Sequence, residues 1–473
     1  MTPAHLFVEL YLIAEQWPPT QRTLAELPPA EVARAIGNAV QADSGSLAYQ
    51  VLETFISRTP GNHVERGVIL AVLHAINLQF ARVHPRVQTS LPGAREPVPL
   101  WLETLSEVRC ATGTYLSING RNLIPNGCLS RGHRHIDASY ADSLADRFGA
   151  LALAHSTVSQ AGRRIAVKTL VIGTAGANGV PPGGAAGSEM LMAAPIAENA
   201  ADLTLAEHAH GHQRLVDYNV SADVGAATRL LTALTQSGAH DIAIAPELVM
   251  PEHEVEILRD ALMEQKVECR LIIAGSGASE AREDELPWNQ SSVLNARGAK
   301  LWDQRKVWPA GINSARAVDY GLKSEHNGLR YERTASGSEV VVADIDRLGR
   351  CLVLICQDLE ATTMAEELIT QYQPDWVFTP ILDPAIDSSG WAHQRAFMLS
   401  GRANTRFVVC TSTALPANGT AAYFLLAVGP KTRTDHDQSR RFHLVGNQGN
   451  NVPGWGCFAW DDVQWQQTNV QGS

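Results

Sequence analysis

The spacing of apolar positions divides the chain into three stretches. Over roughly the first 85 residues they recur at helical intervals. Leu6, Val8, Leu10, Leu12 and Ile13 form one such run, stopped by Gln16-Trp17-Pro18-Pro19. A second opens at Pro28-Pro29, with proline suited to a first helical turn. A third spans Ser46 to Ser57 and closes at Thr59-Pro60-Gly61. A fourth places Ile69, Leu70, Val72, Leu73, Ile76 and Phe80 on one face and ends before Pro85. The expectation is a small helical bundle over 1–85.

Residues 86–205 show short apolar runs between turn residues, which predicts mixed α and β structure. Arg163 to Ile172 reads as a strand, and Gly173 to Ser188, rich in Gly and Pro, as a flexible loop or linker. Beyond His210 strand-like and helix-like runs alternate. Strands are expected at Arg214 to Val220, Asp241 to Ala245, Leu271 to Ala274, Val340 to Ala343, Leu352 to Ile355, Trp376 to Thr379 and Phe407 to Cys410. Helices are expected at Gly225 to Thr235 and Val255 to Gln265. This alternation predicts a layered α/β domain over 206–473.

Composition narrows the function classes. Lys and Arg total 38 against 49 Asp and Glu, a formal net charge of −11, which argues against a phosphate-binding groove. An apolar fraction of 45% supplies core material and excludes wholesale disorder. No uninterrupted apolar run is long enough for a bilayer span, and the N-terminus lacks the basic start of a signal peptide. Seven scattered Cys without paired spacing fit a reducing, cytoplasmic setting. The partners expected are a small molecule and further copies of the chain, with no membrane and no nucleic acid evident.

Three strings at strand ends carry candidate chemistry. Glu247 follows an apolar strand in Ile244-Ala-Pro-Glu. Lys306 closes Trp302-Asp-Gln-Arg-Lys. Cys356 ends the run Leu352-Val-Leu-Ile-Cys. Strand ends are where α/β folds build sites. Each residue has a plainer reading: a packed thiol, a solvated turn, a surface charge. Together they suit covalent catalysis. A cysteine attacks as thiolate, so it needs a base, and Glu247 fits that role. The adduct needs stabilising donors, and Lys306 and the backbone N–H of Gln357 are the candidates.

These strings resemble the carbon–nitrogen hydrolase, or nitrilase, superfamily from about residue 210 to the C-terminus. The family's Glu-Lys-Cys order matches Glu247, Lys306 and Cys356, with Cys-x-Asp met by Cys356-Gln-Asp358. Trp391, expected to position substrate, and Arg402-Ala403-Asn404 follow as a partial match. The resemblance implies a four-layer α-β-β-α sandwich, here preceded by a mostly helical and mixed α/β N-terminal region. It also implies a face-to-face homodimer or larger assembly, and no metal or cofactor. It further implies a second Glu between Lys and Cys, a few residues before a Gly. Gly337 fits that Gly, which points to Glu332, with Glu325 as the alternative. Two departures stand out. Gln357 replaces a commonly aromatic residue, and the family's Gly-x-Ser is not evident after Thr411.

The activity implied is hydrolysis of a linear amide, nitrile or carbamoyl compound through a Cys356 thioester. An acyltransferase using the same thioester is one alternative. A regulatory or ligand-binding module, as in multi-domain bacterial defence proteins, is the other. His208, His210 and His212 could face one side of a strand toward zinc, but they read better as a polar linker. Cys128 with His133, His135 and Asp137 lacks metal-ligand spacing. Trp455, Trp460 and Trp465 read as core or interface.

Overall fold

The computed structural model describes residues 1–23, 25–90, 97–129, 144–184, 188–322, 328–383, 386, 390–415, 423–429, 442–446, 454–460 and 465–471. Its contacts divide the chain into two units, with the main division at Thr157/Val158.

In the first unit the expected helices form at Pro3–Glu15, Ala30–Ala39, Gly45–Glu53 and His63–Ala81. The last is capped by Asn62, whose side chain accepts from the Glu65 N–H at 2.8 Å. Leu100–Thr112 adds a helix the apolar spacing did not flag. These helices share a core with an antiparallel three-stranded sheet of Leu116–Ile118, Arg121–Pro125 and Leu151–His155. Asn77, buried on the long helix, accepts from the N–H groups of Ala150 and Leu151 at 3.0 and 3.1 Å. The stretch His63–Gln88 is long and apolar enough to cross a bilayer, yet 61% of its most apolar window is buried.

The second unit is built on two eight-stranded sheets. One runs in the order Gly277–Glu283, Leu286–Asn295, Leu271–Ile273, Ile242–Ile244, Met190–Ala193, Trp455–Trp460, Trp465–Gln471, with Lys300–Arg305 also paired to Leu286–Asn295. The other runs Phe442–Gly446, Tyr423–Val428, Arg406–Thr411, Trp376–Ile381, Gly349–Val353, Glu339–Ile345, Arg163–Ile172, Thr157–Gln160. The middle strands pair in parallel and are buried on both faces. That explains why they read as unbroken apolar runs. Helices Ala226–Gln236 and Glu252–Glu264 share a core with the first sheet. Helices Thr362–Tyr372 and Trp391–Ala403 bury Met364, Leu368, Ala396 and Leu399 on the second sheet's side. The architecture is the expected four-layer α-β-β-α sandwich.

The expected boundary at 206 is corrected by this pairing. Met190–Ala193 lies between Ile242–Ile244 and Trp455–Trp460, so a strand before 206 is central to the first sheet. Gly173 to Ser188, whose residues 185–187 lie outside the described set, is therefore a loop inside this unit and not a linker between domains. Leu203–His210 and Gln213–Val220 form a hairpin, so the His-rich string is strand and turn rather than linker. His208 faces Asp217 at 3.7 Å, and among the described residues no group of three His, Cys, Asp or Glu could hold a metal. His133, His135 and Asp137 lie outside the described residues. Trp455 and Trp465 are buried. The hairpin continues into a small sheet with Arg330–Glu332 and Gly311–Ile312, which carries one of the site's glutamates.

Gly275 fixes the turn beside Glu247. It sits at φ +75°, and a Cβ there would lie 2.3 Å from the Pro246 carbonyl oxygen. Gly275→Ala is expected to cost at least about 1–2 kcal/mol from the left-handed conformation alone. The check is the thermal unfolding midpoint, which should fall clearly below that of the parent.

Candidate active site

Four elements deliver the polar centre. Glu247 stands three residues beyond Ile242–Ile244, with its N–H on the Ile381 carbonyl at 3.3 Å. Lys306 follows Lys300–Arg305, with its N–H on the Asn289 carbonyl at 2.8 Å. Gly337 donates back to the Lys306 carbonyl at 2.8 Å, and a Cβ there would press on that same oxygen at 3.0 Å. Glu332 ends Arg330–Glu332 in the small sheet. Cys356 lies just past Gly349–Val353.

Cys356 holds φ +47°, ψ −107°, a conformation that non-glycine residues rarely adopt. Its N–H is spent on the Pro380 carbonyl at 2.9 Å. Asp358 ties the bend down. Its carboxylate accepts from the N–H groups of Val307 (3.0 Å), Trp308 (2.7 Å) and Ile355 (3.3 Å). One buried carboxylate thus joins the Lys306 loop to the cysteine turn. Burial pushes Asp358 up to about 7, against the pull of Lys306 and those three donors.

The side chains converge. Lys306 Nζ donates to Glu247 Oε1 at 2.6 Å and to Glu332 Oε2 in a short contact. Asn289 Nδ2 bridges the other way, to Glu247 Oε1 at 3.0 Å and Glu332 Oε1 at 2.7 Å. The Ala310 N–H adds a bond to Glu332 at 3.2 Å. Lys306, Glu247 and Glu332 are all but sealed from solvent, with side chains 1%, 2% and 3% exposed. Cys356 and Glu247 line one small cavity. Burial raises Glu247 above its ordinary value, with Lys306 opposing and Glu332 adding. Burial and then Glu247 push the Cys356 thiol up, with Lys306 opposing. The resting site therefore holds a neutral thiol beside a carboxylate of raised basicity.

Glu247, Lys306, Glu332 and Cys356 meet here, and Glu325 lies outside the described residues. Gln357 and Trp391 line the cavity over Cys356. The Gln357 N–H has no partner among the described residues, while its side chain reaches Glu360. Trp391 donates its indole N–H to Asp383 at 2.8 Å. Asn289 was not foreseen. The signal was available: Asn289, Gln290, Ser291 and Ser292 are four consecutive polar residues on a buried strand. Polar groups there must find partners.

The inner cavity is small, about 20 Å³, room for one or two waters. Gly311, Arg316, Glu332 and Gln357 line both it and a larger cleft of about 930 Å³. The reacting end of a ligand must therefore be compact.

No protein-family model matches the sequence, and no curated protein matches it. Solved structures do. Nit3 of Saccharomyces cerevisiae, described as a branch 10 member of the nitrilase superfamily, is 13% identical over 55% of this chain and 90% of its own, with TM-score 0.36. An amidase from Nesterenkonia sp. is 12% identical over 58% and 92%, with TM-score 0.37. The NitFhit protein of C. elegans is 10% identical over 55% and 61%, with TM-score 0.35. The chain's solved likenesses thus include nitrilase-superfamily structures. The chemistry of the site rests on its own side chains.

Lys306→Met removes the cation that two buried carboxylates share. Breaking such a cluster is expected to cost about 3–5 kcal/mol. Without Lys306, the main influence that lowers Glu247 is gone, so its folded-state pKa rises further above the unfolded one. Stability of the variant is then greatest below the unfolded carboxylate range and is lost as pH rises through the folded value. The parent–variant gap in unfolding midpoint should widen as pH rises above the ordinary carboxylate range.

Proposed function

We propose that the second unit hydrolyses a non-peptide carbon–nitrogen bond, most simply a linear amide, through a Cys356 thioester. The observation that carries this reading is the strained Cys356, set on one small cavity with a buried, Lys306-held Glu247.

The steps follow from the groups present. Glu247 takes the thiol proton as Sγ attacks the carbonyl carbon, and the C=O pair moves onto oxygen. The Gln357 N–H, without a partner among the described residues, and Lys306 supply charge stabilisation there. Collapse breaks the C–N bond, and Glu247 returns its proton to the departing nitrogen. Ammonia or an amine leaves, and the acyl group stays on Sγ. Glu247 then takes a proton from water attacking the thioester, the C–S bond breaks, and the thiolate is reprotonated. Glu332 and Asn289 act through Lys306 and Glu247, holding both in reach. The small inner cavity supports a primary amide or similarly compact reacting group.

Cys356→Ala should fold as the parent does and lose turnover by a factor of about 10³ or more, since the covalent path is gone. Glu247→Gln should likewise fail to acylate. Intact-protein mass spectrometry after incubation with amides, nitriles and carbamoyl amino acids gives the check. An acyl adduct on the parent alone is expected. Undiminished hydrolysis by Cys356→Ala would overturn the mechanism, and acyl transfer to an added amine in preference to water would redirect it to a transferase.

A further inference from the structure

The reach of Lys306 to its two carboxylates is set by its backbone, and one residue that fixes this backbone lies far from it in sequence. Arg163 opens the strand Arg163–Ile172, which adds to the second sheet beside Glu339–Ile345. Its Nη1 donates to the Val307 carbonyl at 3.3 Å and its Nη2 to the Gly337 carbonyl at 3.1 Å. These carbonyls belong to the two segments that meet at Lys306. Val307 follows it directly, and the Gly337 N–H donates to the Lys306 carbonyl at 2.8 Å. The strand is tied to the same place a second time, since the Ala166 N–H donates to the Ser338 carbonyl at 2.9 Å. Arg163 stands well before residue 210, where the resemblance to the nitrilase superfamily begins, so neither the order nor the spacing of the family's strings points to it.

The residue type suits the task. A guanidinium holds its N–H groups in one rigid plane, so a single side chain bridges two carbonyls at a fixed separation. The charge on the donor strengthens both bonds. An ammonium is a point donor on a flexible stem and does not fix two carbonyls in one plane. Arg163 is half-buried on the border of the larger cleft, and among the described residues no carboxylate pairs with it. Its charge thus serves backbone carbonyls and not an ion pair. Val307 is thereby held at its N–H by Asp358 and at its carbonyl by Arg163. Gly337 leaves no slack on the other segment, because it already seats against the Lys306 carbonyl oxygen.

We propose that Arg163 is a positioning residue for Lys306: its guanidinium locks the Val307 and Gly337 carbonyls together and so keeps Nζ within reach of Glu247 and Glu332. This rests on the Cys356 reading and adds a residue to the groups that set the nucleophile's reactivity. Release of the clamp gives Lys306 slack. Its attraction for Glu247 and for a developing thiolate then weakens, and both groups, which Lys306 holds down against burial, rise. At an effective dielectric constant of about 20, roughly 1 Å of slack at the 2.6 Å contact moves a pKa by about one unit.

The test reads Cys356 directly and needs no substrate. Iodoacetamide alkylates the thiolate, forming an S–C bond as iodide leaves, so its rate against pH reports when the thiol becomes reactive. The rate at Cys356 is followed by peptide mass spectrometry in the parent, Arg163→Met and Arg163→Lys. The ionisable groups that share the cavity with Cys356, namely Glu247, Lys306, Glu332, Tyr218, Tyr320 and Arg316, are the same in all three. In Arg163→Met the profile should shift by about one unit toward higher pH, which is about tenfold slower labelling at a fixed pH on its rising limb. Arg163→Lys keeps the charge but not the fork, so it should shift in the same direction and by less. A loss of stability alone lowers the unfolding midpoint and leaves the profile of the folded protein in place. An unchanged profile in Arg163→Met overturns the positioning role and leaves the Cys356 chemistry standing. A shift in Arg163→Met with none in Arg163→Lys also overturns it, and assigns the effect to charge. Should Arg163→Met fail to fold, Arg163→Lys decides alone, and a profile matching the parent's overturns the proposal. Absence of Cys356 labelling in the folded parent across the profile, with the unfolded chain labelled, overturns both readings.

Discussion

One ammonium shared by two buried carboxylates is the constraint on which the second unit's site depends. Lys306 bonds Glu247 and Glu332 in a region where an unpaired charge would cost several kcal/mol. A single cation does not neutralise two carboxylates, so the cluster keeps a net negative charge beside the thiol. Asn289 spreads that charge with two N–H donors and no charge of its own. The residual charge is useful. It keeps Glu247 basic, whereas a second cation would neutralise it and remove its pull on the thiol proton.

The backbone is arranged around the same cluster. The strand carrying Asn289 also anchors the Lys306 N–H, so the amide and the ammonium cannot move apart independently. Gly337 seats against the Lys306 carbonyl because no side chain fits there. Asp358 links the Lys306 loop to the cysteine turn through three backbone N–H groups. The unusual backbone at Cys356 persists because its neighbours fix it from both sides. Sheet, loop and turn thus bring Cys356 and Glu247 to one small cavity.

The sequence made much of this legible. The central strands are parallel and buried on both faces, so they announce themselves as runs such as Leu352 to Ile355. Glu247, Lys306 and Cys356 stand immediately beyond such runs, where a chemical residue is conspicuous. Asn289 was hidden because it lies within a strand whose apolar pattern is broken by its own polar neighbours. Arg316 was hidden because a lone Arg on a six-residue helix resembles a surface charge until Asp383 and Tyr320 are seen gripping it. The domain boundary was misplaced for a related reason. A Gly-rich stretch reads as a linker in sequence, yet Met190–Ala193 beyond it pairs with strands from residues 242–244 and 455–460, and local pattern carries no trace of such distant partners. The N-terminal helices were legible because their cores repeat locally.

The thiol's resting state decides how the site must work. Burial and the adjacent Glu247 both disfavour thiolate, and Lys306 only partly offsets them. Cys356 therefore waits as a neutral thiol, unlike cysteines that are ionised before substrate binds. In the proposed reaction, proton transfer to Glu247 and attack on carbon then belong to one event, since separated thiolate would face two carboxylates in a dry pocket. In the proposed reaction a carbonyl placed against the Gln357 N–H, which has no partner among the described residues, changes that balance, because the charge leaving sulfur has a donor to go to.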